Sequence, residues 1–310
     1  MTSVVITGPT RGLGRAAVLA MAAHPARPDL LLVGRGGVAL TGVADEARAL
    51  GAVAHEIGCD LSRLADVRAA AATVRELLAS GAARPLGALV ANAGAMSADT
   101  RQASADGFEL TFAVNYLAHA QLIGDLLGSL SAPARIVLLG SNTYYANVWR
   151  RLLRVPAARW QDPVELARPA AGSAGVAYSN AKLAVLYYAH ELQRRVGPGV
   201  GVSVFEPGWM PGTALGRGAP AALQAIGRGL ARLPGVATPE RSGPMLASIA
   251  LDERWAGLRD GAFVVRDTVA QVRPTAHDRD RERRLWAATG ELLSNSRDGS
   301  SISVASPELA

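Results

Sequence analysis

The chain has 310 residues, 49% of them hydrophobic and 19% charged, with a formal net charge of +6, so it can bury a large core. One cysteine, Cys59, excludes an internal disulfide and suits a reducing, cytoplasmic setting. No apolar run is long enough to span a bilayer. No basic leader precedes the first apolar run. The densest basic cluster, Arg279 to Arg284, alternates with Asp280 and Glu282, the pattern of a solvated helix face rather than of a nucleic-acid surface.

Along the chain, short apolar runs alternate with longer helical patterns. Val4 to Thr7, Leu30 to Val33, Val53 to Ile57, Ala88 to Ala91, Ile136 to Gly140 and Val202 to Phe205 read as buried strands. Gly12 to Ala23, Leu61 to Ala79, Phe108 to Ser129 and Ala174 to Val196 read as helices. Repeated β-α units predict an α/β fold, a doubly wound parallel sheet with helices on both faces, whose ligands bind beyond the carboxyl ends of the strands. No linker divides the pattern, so one domain is expected over 1–293. The polar, aperiodic stretch 294–310 is expected to be a flexible tail.

The first strand runs into Thr7-Gly8-Pro9-Thr10-Arg11-Gly12-Leu13-Gly14 and then an alanine-rich helix. Glycines there permit a tight turn and close approach of a dinucleotide pyrophosphate, while the helix N-terminus supplies amides and a favourable dipole. An ordinary glycine-rich turn is the competing reading. The second strand ends at Gly34-Arg35, where an acid would bind the adenosine ribose of NAD and an arginine suits a 2'-phosphate. The first acid after it is Asp45, so Arg35 and Arg11 favour NADP(H) unless both are merely exposed charges.

Lys182 is the only lysine, since all the other basic residues among the 32 are arginine, and it lies four positions after Tyr178. On a helix the two share one face. A phenol titrates near pH 10. An ammonium roughly 4 Å away at an effective dielectric near 20 is worth on the order of 4 kcal/mol, enough to pull the phenol towards neutrality. A chance pairing on a helix surface is the plain alternative.

These residues form an ordered set. The Gly8, Gly12 and Gly14 spacing, Asp60 after the third strand, Asn92-Ala93-Gly94 after the fourth, Asn115, Ser141, Tyr178 with Lys182, and Pro207-Gly208 after the sixth resemble the short-chain dehydrogenase/reductase family over about residues 2 to 293. The stretches Val114-Asn115-Tyr116-Leu117-Ala118-His119 and Tyr178-Ser179-Asn180-Ala181-Lys182 most resemble its retinol dehydrogenase and protochlorophyllide reductase branch.

The resemblance implies a Rossmann-type NADP-dependent oxidoreductase acting on a small molecule. It implies Tyr178 as general acid or base, Ser141 on the substrate oxygen, Lys182 on the tyrosine and the nicotinamide ribose, and Asn115 fixing a water that links Lys182 to solvent. It also implies Asp60 and Leu61 at the adenine, Asn92, Ala93 and Gly94 along the cofactor, and Pro207, Gly208 and Thr213 at the nicotinamide end. Carbonyl reduction is the leading reaction. Reduction of a conjugated carbon-carbon double bond and a non-catalytic NADP-sensing regulator are the rivals.

Each residue has a plainer role open to it: Asn115 as an incidental helix residue, Ser141 in a turn, Asp60 as a helix cap. Gly140-Ser141-Asn142 lacks a nucleophile-elbow pattern, and the five histidines lack metal-ligand spacing, so no metal is expected.

The departure from compact members is the long separation of Ser141 and Tyr178. The added region, about 144–173, carries Tyr144, Tyr145, Trp149 and Trp160, and is either a lid for a bulky substrate or a helix packed on the surface. In the family the Tyr178 helix commonly forms the dimer contact, which such an insertion can cover, so monomer and homodimer both stay open. The segment 209–233, with its Gly and Pro breaks, reads as a substrate loop.

Overall fold

The computed structural model describes residues 2–146, 156–210 and 236–296. One eight-stranded sheet organises them, formed by β1 (Ser3–Thr7), β2 (Asp29–Gly34), β3 (Ala54–Gly58), β4 (Leu86–Ala91), β5 (Leu130–Leu139), β6 (Val200–Glu206), β7 (Ala262–Val265) and β8 (Thr268–Ala270). The strand order is β3-β2-β1-β4-β5-β6-β7-β8, parallel throughout except for β8, which returns antiparallel to β7. The order reverses between β1 and β4, and a crevice opens at that switch point because successive crossovers leave to opposite faces of the sheet.

Side chains on β1 alternate between two cores, as a period of two requires. Val4 and Ile6 meet α1 (Gly12–Ala22), α2 (Val38–Ala49) and α8 (Pro239–Leu251) through Val18, Met21, Val43 and Ile249. Val5 faces the other core, built with α3 (Leu64–Ala79) and α7 (Ala174–Arg195) through Val67 and Leu186. The central strands are buried on both faces, hence their unbroken apolar runs.

Three differences from the sequence reading have physical causes. The helix expected over Phe108 to Ser129 is interrupted: α4 (Leu110–Phe112) passes into a π turn over Ala113–Leu117 before α5 (Ala118–Leu126). The helix expected from Leu61 begins at Leu64, because Asp60 accepts from the Ser62 N–H and hydroxyl at 2.9 and 2.8 Å and turns the chain first. The C-terminal helix α9 (Arg279–Asn295) runs slightly into the stretch expected to be tail, capped by Asp278.

The described part of the added region lies flat on the molecule. α6 (Pro163–Leu166) is capped by Asp162, whose carboxylate also binds Arg284 of α9. Trp160 stands edge-on to Tyr187 of α7 at 4.8 Å, and Tyr188 stacks on Trp286 of α9 at 5.4 Å. As a result α7 is buried continuously from Ser179 to Leu192. Trp149 to Arg154 lie outside the described residues, as do Thr213 and most of the expected substrate loop.

Candidate active site

A cleft of about 610 Å³ lies across the switch point, walled by the turns after β1, β2 and β4 at one end and by α7 at the other. Gly8, Thr10, Arg11, Gly12, Leu13 and Gly14 line it, together with Arg35, Asp60, Leu61, Asn92, Ala93 and Gly94. Tyr178 and Lys182 line it too. Asn115 and Ser141 stand just behind this wall, and Pro207-Gly208 follow β6.

The glycine turn fits a large ligand on steric grounds. Gly8 has φ +66° and Gly12 φ +53°, conformations a side chain resists. A Cβ on Gly14 would stand 2.0 Å from the Gly8 carbonyl oxygen, so α1 packs against the turn only because position 14 is bare. The Asn92 amide ties β4 to this turn, donating to the carbonyls of Thr7 and Gly8 at 2.9 and 3.2 Å. Exposed Arg11 and Arg35 border the same cleft and give it a positive rim.

At the other end ionisable groups are wholly or partly taken out of water, Lys182 buried and Tyr178 half-buried. Lys182, 2% exposed, donates from Nζ to the Leu139 carbonyl at 2.8 Å and lies 5.6 Å from the centre of the Tyr178 ring. Burial lowers its pKa to about 8. Tyr178 hydrogen-bonds Ser141, yet burial, followed by the nearby Glu206 carboxylate, pushes the phenol well above its ordinary value. The sequence-based expectation that the ammonium draws the phenol towards neutrality is therefore not met. Desolvation opposes both charged forms.

Gly94 separates two further groups. A Cβ there would stand 2.9 Å from Asn115 Oδ1 and 3.9 Å from Lys182 Nζ. Asn115 Nδ2 donates to the carbonyls of Ala95 and Thr111 at 2.5 and 2.7 Å, whereas the buried Oδ1 has no partner among the described residues. A buried acceptor beside an ammonium is a natural seat for a bridging water.

Sequence reading passed over Glu206. It is 7% exposed, ends β6 directly before Pro207-Gly208, and accepts from Asn142 Nδ2 at 3.0 Å, which anchors the turn that follows Ser141. An acid at the end of a buried strand was a usable signal, because such groups are rarely buried without a reason. Three possible metal-ligand atoms, from His190, His277 and Glu282, also lie within 4.8 Å of one another, far from the cleft at the α7–α9 contact. The two rings are stacked only 9° from parallel, and the Glu282 carboxylate already binds His190 and Arg194, so the group is an ion-pair tie between the helices.

A glycine turn at the switch point of a parallel sheet, with Tyr178 and Lys182 at the far end of the same cleft and Ser141 hydrogen-bonded to Tyr178, defines a Rossmann-fold oxidoreductase. The short chain dehydrogenase family model matches residues 2–148. Mouse polyprenol dehydrogenase is 32% identical over 97% of this chain and 86% of its own length. Human retinol dehydrogenase 13 is 29% identical over 94% and 84%. The chain belongs to the short-chain dehydrogenase family and is similar to its retinol-dehydrogenase-like members. A short chain dehydrogenase from Burkholderia cenocepacia, solved in complex with NADP, shares the fold with a TM-score of 0.64 at 24% identity, over 86% of this chain and 96% of that one. Among the described residues no helix is long and apolar enough to cross a membrane.

Proposed function

We propose that the protein is an NADPH-dependent carbonyl reductase for a bulky, hydrophobic small molecule. The observation that carries this reading is the single cleft joining the Gly8–Gly14 turn to Tyr178 and Lys182. Bound there, the cofactor supplies a hydride. The chain's own residues supply a proton and a position. Tyr178 keeps its proton at neutral pH, because burial and Glu206 both oppose the phenolate, so the hydroxyl serves as an acid towards a substrate oxygen held also by Ser141. Lys182, poised near pH 8, orients the ribose and returns a proton to Tyr178, with Asn115 Oδ1 seating the water that recharges it. Asn92 and Gly94 shape the cofactor wall, Asp60 and Leu61 the adenine end, and Pro207-Gly208 the nicotinamide end.

Preference for NADPH rests on Arg11 and Arg35 at the end of the cleft where β2 delivers no acid. The hydrophobic substrate class rests on Met210, which lines the cleft, and on its neighbour Trp209, 64% exposed, together with the polyprenol and retinol in the relatives' names. The burial of α7 from Ser179 to Leu192 covers that stretch of the helix against pairing, which favours a monomer in solution.

The reading is tested by titrating the protein with NADPH and NADH, then following loss of NADPH absorbance across a panel of aldehydes and ketones of increasing size. Saturable NADPH binding with turnover that favours large apolar carbonyls is the expected result. Absence of binding to either cofactor would overturn it.

A further inference from the structure

Behind the cleft, one buried ring joins the two ends of the site. The Thr7 hydroxyl at the end of β1 is fully buried and accepts from the backbone N–H of Asn92 at 3.0 Å and of Ala93 at 2.9 Å. Both of its lone pairs are thereby used. Its proton has one direction left, towards Nε2 of His119 at 3.0 Å. Nε2 must then be the bare nitrogen, so the ring proton sits on Nδ1, 3.2 Å from the carbonyl oxygen of Asn115. The ring is 3% exposed, and burial holds its pKa down at about 4, with Lys182 acting in the same direction and the Asn115 carbonyl opposing. It is neutral at neutral pH.

The π turn makes this reach possible. It re-aims the helix between Ala113 and Leu117, and His119, one turn further on, folds back to the Asn115 carbonyl. An apolar side chain at position 119 would fill the same space but could hold neither neighbour. His119 does not itself line the cleft. Its two bonds end on the Asn92–Ala93 peptide, by way of Thr7, and on Asn115, which flanks Gly94 opposite Lys182.

We propose that His119 is a positioning residue. Resting on the reading that Asn115 and Lys182 serve a bound nicotinamide cofactor, its neutral, Nδ1-protonated ring clamps the cofactor-lining peptide after β4 to the Asn115 turn. Cofactor seating and the surroundings of Lys182 are thus set by one side chain.

Two isosteric variants separate the two links. Asparagine places a donor where Nδ1 stands and nothing at Nε2, while glutamine places an acceptor where Nε2 stands and leaves the Asn115 carbonyl without its donor. His119→Asn should raise the NADPH dissociation constant about tenfold with kcat changed less than about threefold, and His119→Gln should do the reverse, as expected for loss of one buried hydrogen bond each. His119→Phe should lose both properties. Parallel losses of affinity, kcat and melting temperature in all three variants would make His119 a packing residue and overturn the proposal.

Nitrogen-15 NMR of the unliganded wild-type protein gives a readout independent of turnover and of any variant's folding. His119 should show the Nδ1-H tautomer and no titration between about pH 5 and 9. An Nε2-H tautomer, or a charged ring in that range, also overturns the proposal. The reading of the site fails separately, through absent NADPH binding or a Tyr178→Phe variant that keeps wild-type turnover, and neither result moves the tautomer.

Discussion

At the Gly8–Gly14 end of the cleft the surface offered to a ligand is mostly backbone and glycine, whereas at the Tyr178 end it is ionisable side chains, a buried Lys182 and a half-buried Tyr178. The first end works by shape. Its amides and helix dipole are fixed once the chain takes the turn, so its tolerance of change is set by sterics. The second end works by the cost of charge: the same burial that lifts the Tyr178 phenol lowers the Lys182 ammonium, leaving the phenol protonated and bringing the lysine close enough to neutrality to give up its proton. Substitutions should therefore divide into those that spoil binding and those that spoil proton transfer.

The largest effect should come from Tyr178→Phe, which keeps the ring and deletes the proton donor. Turnover should fall by about 10²–10⁴-fold while the NADPH dissociation constant stays close to wild type. A matching loss of affinity would blur the division between the two ends. Gly14→Ala should do the opposite, because its new Cβ would meet the Gly8 carbonyl oxygen at 2.0 Å. The expected cost is about 1–3 kcal/mol of stability and a larger loss of NADPH affinity than of kcat, read by thermal melts and titration.

Arg35→Ala should lower NADPH affinity about tenfold and leave NADH affinity unchanged, the loss expected for one charge-assisted hydrogen bond. Equal weakening of both cofactors would mean Arg35 acts through the general field of the rim. The smallest effect belongs to Glu206→Gln. Removing a negative charge near Tyr178 makes the phenolate easier to form, so its pKa falls and the high-pH decline of the reductive rate should begin at lower pH. The shift should be of the order of one unit or less. A pH-rate profile that stays put, or moves upward, would detach Glu206 from the proton-transfer end.

The same division explains what the sequence disclosed. Val4 to Thr7 followed by Gly8, Gly12 and Gly14 announces a strand, a turn and a helix from local pattern alone, and each lies where that pattern puts it. β7 and β8 were missed because four and three residues are too few to carry a period, and their place is decided by pairing with β6 across a distant stretch of chain. The π turn was invisible for a related reason: Ala113 to Leu117 reads as ordinary helix, and tertiary packing selects the wider register. Tyr178, Lys182, Ser141 and Asn115 could be picked out by their order. The direction of the phenol's shift could not, since it depends on desolvation and on Glu206, neither of which spacing reveals.

The burial of α7 bears on how the molecule is made. Its outer surface is closed by Trp160 and by α9, whose Trp286 stacks on Tyr188 and whose Thr289 hydroxyl bonds the Tyr116 phenol at 2.5 Å. During synthesis the β1–β4 half, with its glycine turn, has its strand partners by the time residue 91 has emerged, although α1 still lacks α8. The helix bearing Tyr178 and Lys182 must wait for residues 279–295 before its apolar flank is covered. A nascent chain can thus present a nucleotide-shaped turn well before it holds a finished proton-transfer site. In that interval the uncovered flank of α7 is an apolar surface open to misassociation and to chaperones.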